Sequence, residues 1–282
     1  MTALTIRPMN LGELQLHISW AQQEGWNPGL NDAIAFHAQD PEGFFLGVVN
    51  GEPVGMISGV RYGSDFGFMG LYIVRAAHRG KGYGMQLWQA ALDHLQGRVL
   101  GLDGVLARQG DYALSGFKLA WRNQRFEGYS PAKPMVLQPD IHPLSEWGLE
   151  QVLSFDDHHF GYPRHDFLRS WLSQPGVVAM GHGTAGRLDA IGVARPCAQG
   201  YKIGPFFASG HVVARSLLLS LLSQLPPSSA FQVDIPTQHL QARALLEGLG
   251  MRPVFETARM YLGMPREFPL DQVYGITSFE LG

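Results

Sequence analysis

Three glycines at alternate positions in Arg79-Gly80-Lys81-Gly82-Tyr83-Gly84 separate the apolar run FGFMGLYIV at 66–74 from the amphipathic run MQLWQAALDHL at 85–95. The first run reads as a strand, and in the second Trp88, Ala91, Leu92 and Leu95 share one helical face. A strand, a turn with little side-chain bulk and a helix are therefore contiguous. Such a turn lets backbone N–H groups converge at the positive end of a helix, which makes an anion cradle. Arg79 and Lys81 add charge there, while Gly82 and Gly84 let the backbone approach a pyrophosphate closely. With 35 glycines in the chain, composition alone supplies about one R-x-x-G-x-G string, so the flanking strand and helix carry the reading.

Two other phosphate-binding designs are excluded. No G-x-x-x-x-G-K-[ST] string occurs. A dinucleotide-binding unit puts its glycine turn after the first strand of a parallel array, whereas this turn follows the last strand of an antiparallel run. FFLGVV and PVGMISGVRY flank the hairpin signal Asn50-Gly51, and FGFMGLYIV continues the meander. Upstream, Asn10 and Glu13 have capping-box spacing, and Leu11, Leu14, Ile18 and Ala21 predict one helix as far as Gly25. Turn chemistry at Asn27-Pro28-Gly29 leads into a short helix over 31–39. Downstream follow a strand at RVLGLDGVLA, a short helix at DYALSGF and a strand at KLAWRNQRFEG.

The remainder repeats this plan. GHGTAGRLDAIGVARP parallels the first hairpin, and YKIGPFFA takes the place of FGFMGLYIV. Gly250-Met251 precedes Arg259 by the interval that separates Gly116-Phe117 from Arg125. Two divergent copies of one αβ unit follow, with residues 1–128 as the first, a proline-bearing linker over 129–140, and 141–282 as the second.

Composition narrows the partners. The 24 acidic and 21 basic residues give a formal charge of −3, so nucleic acid is not expected. No basic region and apolar stretch opens the chain, and no window approaches the roughly 18 apolar residues of a membrane span, so the default address is cytoplasmic. Cys197 is the only cysteine, which makes an intramolecular disulfide impossible and a packing role the natural one.

The run LYIVRAAHRGKGYG with its following helix resembles motif A of the Gcn5-related N-acetyltransferase (GNAT) superfamily, usually V-x-P-x-x-R-G-x-G-x-G. Val74 and Arg79 match its valine and arginine, and Ala76 stands where proline is usual. Tyr112-Ala113-Leu114-Ser115-Gly116-Phe117 resembles the Y-x-x-x-G-F ending of motif B. The resemblance covers nearly all of 1–128. It implies a mixed α/β fold, each unit a mostly antiparallel twisted sheet flanked by helices, with acetyl-CoA as cosubstrate, no metal, and direct acetyl transfer to an amine. It also implies that the strand before motif A splays from its neighbour. Ile73 and Val74 would then pair with the pantetheine amides, while Arg79, Gly80, Lys81, Gly82, Tyr83 and Gly84 would hold the pyrophosphate. Tyr112 takes the position of the general acid to the departing sulfur, and the Val74 N–H that of a donor to the thioester oxygen.

The general base is less legible. Asp103, just after the cofactor strand's neighbour, is the geometrically reasonable choice, with Glu127 and Asp65 as alternatives. Trp26 and Asn27 lie in a turn that borders the acceptor pocket in the family, although Trp26 could equally pin that turn to the core. The cluster Asp156, Asp157, His158, His159, His165 and Asp166 has no familiar metal-ligand spacing, and His158 or Arg164 could instead face an acceptor.

In the second copy FFASGHVVA lacks an R-x-x-G-x-G run, and Leu246 stands where the first copy has Tyr112. The whole is similar to tandem bacterial acetyltransferases whose degenerate second domain completes the acceptor cleft. An enclosed cleft favours a small-molecule amine. A non-catalytic acyl-CoA-binding sensor or regulatory protein is the alternative, and nothing in the chain indicates an oligomeric state.

Overall fold

A computed structural model describes residues 3–132, 140–184 and 186–282 of the chain. The first half holds strands β1 (Thr5–Pro8), β2 (Phe44–Val49), β3 (Glu52–Tyr62), β4 (Phe66–Val74), β5 (Val99–Val105) and β6 (Lys118–Tyr129). Its helices are α1 (Leu11–His17), α2 (Ser19–Gln23), α3 (Asp32–Gln39), α4 (Tyr83–His94) and α5 (Gln109–Leu114). The second half repeats the order with α6 (Leu149–Phe160), α7 (His165–Leu172), α8 (His211–Gln224) and α9 (Leu240–Gly248). Its strands are β7 (Ile141–Pro143), β8 (Val178–Thr184), β9 (Arg187–Pro196), β10 (Tyr201–Ala208), β11 (Ala230–Pro236), β12 (Arg252–Leu262) and β13 (Val273–Gly275). The linker expected over 129–140 lies mostly outside the described residues. Among those described, no helix is long and apolar enough to cross a membrane.

Local chemistry accounts for the turns. The Glu13 N–H donates to Asn10 Oδ1 at 2.9 Å and the Asn10 N–H to Glu13 Oε2 at 3.1 Å, closing the capping box. The helix predicted to run to Gly25 is broken at Ile18. His17 Nδ1 lies 2.7 Å from Glu13 O, and Ser19 Oγ donates to Leu16 O at 2.7 Å, so side chains compete for carbonyls the helix would use. Asn50 and Gly51 turn the β2–β3 hairpin with φ of 52° and 80°, the left-handed pair that a tight hairpin needs.

The thirteen strands of the described residues join one mixed, mostly antiparallel sheet in the order β1-β2-β3-β4-β5-β12-β6-β11-β10-β9-β8-β7, with β13 against β10. Neither half completes its own share. Strand β12 of the second half pairs with β5 of the first, while β6 of the first pairs with β11 of the second. The repeated arginines bridge the exchange. Arg125 on β6 binds Asp234 on β11 through two N–H groups at 2.7 and 2.8 Å, and Arg259 on β12 binds Asp103 on β5 at 3.0 and 2.5 Å. Both pairs are buried.

Helices cover both faces. On one face α1–α3 and α6–α7 share a core across the halves, with Phe36 stacked near Phe167 and Trp171. On the other, α4 and α8–α9 pack over their own halves. Residues 273–282 tie the halves together. β13 enters between β10 and β11, where Ile276 N–H donates to Asp234 O at 2.8 Å, and the chain then runs over β4 to the end of β3, where Tyr62 Oη donates to Leu281 O at 2.7 Å.

Candidate active site

Strands β4 and β5 pair in parallel only from Phe66–Val99 to Met69–Leu102, and beyond that point they diverge. The register of β4 against β3 gains a residue there: Ser58 opposes Gly70, but Met56 opposes Ile73. Leu71 sits in the bulge with φ of 46°, a conformation that costs a bulky residue about 1–2 kcal/mol. The bulge turns the edge of residues 71–74 away from β5 and leaves it without a ladder partner on that side. Backbone groups in such an edge must find partners elsewhere.

A cavity of about 780 Å³ fills the wedge. Its outer end is the glycine turn. Gly80 and Gly82 have φ of 75° and 78°, and no side chain caps the start of α4, so its first N–H groups face the cavity mouth. Gly80, Gly82, Tyr83 and Gly84 line that end, with Ile73 and Val74 beside them. Arg79 lines it too, but its Nε donates to Val74 O at 2.7 Å and its Nη2 pairs with Glu24 at 2.7 Å. Lys81 is exposed and outside the lining. Polar backbone, rather than free cationic side chains, therefore dominates the cradle.

Midway, Tyr112 on α5 lies across β5. A Cβ on Gly104 would stand 2.2 Å from its ring, so the tyrosine occupies a slot that only glycine leaves open. Trp88 of α4 stacks on it, with ring centroids 5.6 Å apart. Burial pushes the phenol pKa up to about 12, which keeps the hydroxyl protonated. Tyr72, not singled out by the sequence, also packs on Trp88 and reaches Gly84.

The inner end is walled by Trp26 and by Phe255, Thr257, Phe279 and Glu280 of the second half. Asn27, expected beside Trp26, lies outside the lining. Its amide donates to Gln199 O and Gln232 Oε1, both at 3.1 Å, and its Oδ1 accepts from the Gln199 N–H. It clasps the two halves instead, because the turn at Asn27 is buried under β10 and β11.

Asp103 does line the cavity, yet its carboxylate is committed to Arg259 and accepts from Asn123 Nδ2 at 2.7 Å. Burial alone would lower the Arg259 pKa, and the Asp103 charge reverses that and raises it, so the guanidinium stays charged. The matching pair Arg125–Asp234 occurs beside a wedge with no glycine turn, which marks the pairing as a strap of the exchanged strands. Glu127 accepts from Gln232 Nε2 at 2.8 Å and Asp65 pairs with Arg266; neither lines the cavity. In the Asp/His cluster, Asp156 is buried against Arg164 at 2.7 Å, His165 bonds Asp157 at 2.8 Å and His159 bonds Phe155 O and Gln272. Among the described residues no group of three ligands could hold a metal.

The second wedge is closed. β13 fills the space between β10 and β11, and Leu246, at the position of Tyr112, is buried in the core.

A bulged, splayed strand, a glycine turn at a helix start and a half-buried tyrosine between them are the arrangement of an acyltransferase. The Acetyltransferase (GNAT) family profile matches residues 13–113, and an Acetyltransferase (GNAT) domain profile matches residues 152–275. The holothin acyltransferase of Pseudoalteromonas sp. (strain SANK 73390) is 34% identical over 99% of this chain and 94% of its own. The chain therefore belongs to the GNAT family, in its tandem form, and is an acyltransferase. Its fold is shared with a putative acetyltransferase from Pyrococcus horikoshii (TM-score 0.84, 21% identity, covering 100% of this chain and 97% of the other). A tandem GNAT protein from the clavulanic acid biosynthesis pathway superposes with a TM-score of 0.64 at 12% identity over 94% of this chain and 100% of its own.

Proposed function

We propose that the protein transfers an acetyl group from acetyl-CoA directly to the amine of a small molecule, with one site in residues 1–128 and its acceptor end walled by residues 141–282. The observation that carries this reading is the continuity of the cavity from the glycine turn, past Tyr112, to the aromatic inner end. The turn at 80–84 accepts a pyrophosphate through backbone N–H groups, and the unpaired edge of Ile73 and Val74 accepts a pantetheine arm. The Val74 N–H is the donor we assign to the thioester oxygen. Tyr112 protonates the departing sulfur. Trp26, Phe255 and Phe279 fit an apolar, flat acceptor, and the name of the relative makes holothin the first amine to try. Among the described residues β13 closes the wedge between β10 and β11, which supports a single acyl site per chain, and the default address read from the sequence is cytoplasmic.

Calorimetry with acetyl-CoA and thiol release with a mixed amine panel test the reading. Heat of binding and turnover on at least one amine are expected; no binding, or binding without turnover on any amine, rejects it. Tyr112→Phe should lower kcat by about 100-fold or more while acetyl-CoA affinity changes little. Because the phenol pKa is near 12, wild-type kcat should show no loss of this acid below about pH 11. An unchanged kcat in Tyr112→Phe removes the assigned role.

A further inference from the structure

Four acidic residues line the cavity, Glu24, Asp103, Asp111 and Glu280. Three are held by cations: Glu24 by Arg79 at 2.7 Å, Asp103 by Arg259 at 2.5 Å, and Asp111 by Arg108 at 3.1 Å. Glu280 differs. It is 2% exposed, and neither carboxylate oxygen has a hydrogen-bond donor among the described residues. A buried carboxylate left in that condition is costly, and proteins retain such groups where a ligand or a reaction uses them.

Its place is fixed by its own backbone. A Cβ on Gly70 would stand 2.0 Å from Glu280 O, so the tail lies directly on β4 at the first residue past the Met69–Leu102 pair. That is the apex of the wedge, on the side walled by Phe255, Thr257 and Phe279. Thr257 Oγ1 is likewise buried without a partner. Arg125 and Arg195 are closed against Asp234 and Asp32, whereas Lys202 Nζ donates only to Trp26 O, at 2.9 Å. Glu280 lies close enough to these three buried basic groups to favour their charged forms, while burial pushes Lys202 the other way, toward its neutral form.

We propose that Glu280 is the general base that accepts the proton of the acceptor amine, an inference that rests on the transferase reading above. The amine nitrogen forms a bond to the thioester carbonyl carbon and the carbon–sulfur bond breaks. The proton leaving nitrogen passes to the Glu280 carboxylate, and the departing sulfur takes the Tyr112 hydroxyl proton; exchange with solvent restores both groups. The second half thus contributes chemistry as well as a wall.

The test uses the full chain, acetyl-CoA and an amine that the wild type acetylates. Glu280→Gln should lower kcat/KM by about 100- to 10,000-fold while the acetyl-CoA Kd from calorimetry stays within about twofold. Glu280→Ala, a second variant that leaves space for a small carboxylate, should regain about tenfold or more of its lost rate in sodium formate. A Gln variant as active as wild type, a loss that tracks equal weakening of acetyl-CoA binding, or an Ala variant that binds acetyl-CoA normally and ignores formate overturns the proposal. A wild type that binds acetyl-CoA but acetylates no amine overturns the transferase reading and this role with it, and that result appears before any variant is made.

Discussion

Gly82→Asp should abolish acetyl-CoA binding measurable by calorimetry, a loss of about 100-fold or more in affinity, while the protein still unfolds cooperatively. Gly82 precedes α4 with φ of 78°, and a Cβ there would meet no atom within 4 Å. Aspartate tolerates the left-handed region better than most residues, so the cost in stability is about 1 kcal/mol. Its carboxylate, however, would project into the cavity mouth where the N–H groups of the helix start converge. Repulsion from two phosphates then replaces attraction by a helix N-terminus. Gly82→Ala separates the two causes: it carries at least as much backbone strain without the charge and should weaken binding far less. Retained affinity in Gly82→Asp would move the pyrophosphate site elsewhere.

The second large effect concerns the exchanged strands. Asp234→Ala and Asp103→Ala should each destabilise the fold by about 3–5 kcal/mol, because each leaves a buried arginine without its partner. In thermal unfolding this is a fall on the order of 10 °C for a chain of this size. The two losses should be similar, since the pairs occupy corresponding places in the two halves. Asp103→Ala also distinguishes the strap from a base: a variant with wild-type stability and lost turnover would restore Asp103 to the chemistry. Replacing the Arg125–Asp234 pair by apolar residues of similar volume should return much of the lost stability, as the charges themselves are costly to bury.

What the amino-acid sequence discloses here follows from the range over which each signal acts. The glycine turn, the Asn50-Gly51 hairpin and the Asn10–Glu13 box are set by neighbours a few residues apart, and all three are present. The break at Ile18 is a local competition too fine for a hydrophobic pattern to register. The strand exchange was hidden for a different reason. Because the halves repeat, Arg125 could satisfy either Asp103 or Asp234 with the same chemistry, and β6 would suit β5 as well as β11. Only the packed molecule decides. Asp103 looked like a base because it follows the cofactor strand's neighbour, yet it is 156 residues from the arginine that occupies it. Asn27 sits in the turn beside Trp26, but its amide faces Gln199 and Gln232. Phe279 and Glu280 lie in a tail with no helical or strand period, so nothing near them announced that they reach β4.

The reciprocal sheet also sets an order of events on the ribosome. While the first half is being made, β5 presents an open edge, and the strand that covers it, β12, belongs to the second half and is synthesised long afterwards. Contacts separated by so much chain form slowly, and exposed edges pair promiscuously in the meantime. Refolding at high concentration should therefore yield intertwined dimers, in which β12 of one molecule completes the sheet of another, a species that gel filtration would resolve from the monomer.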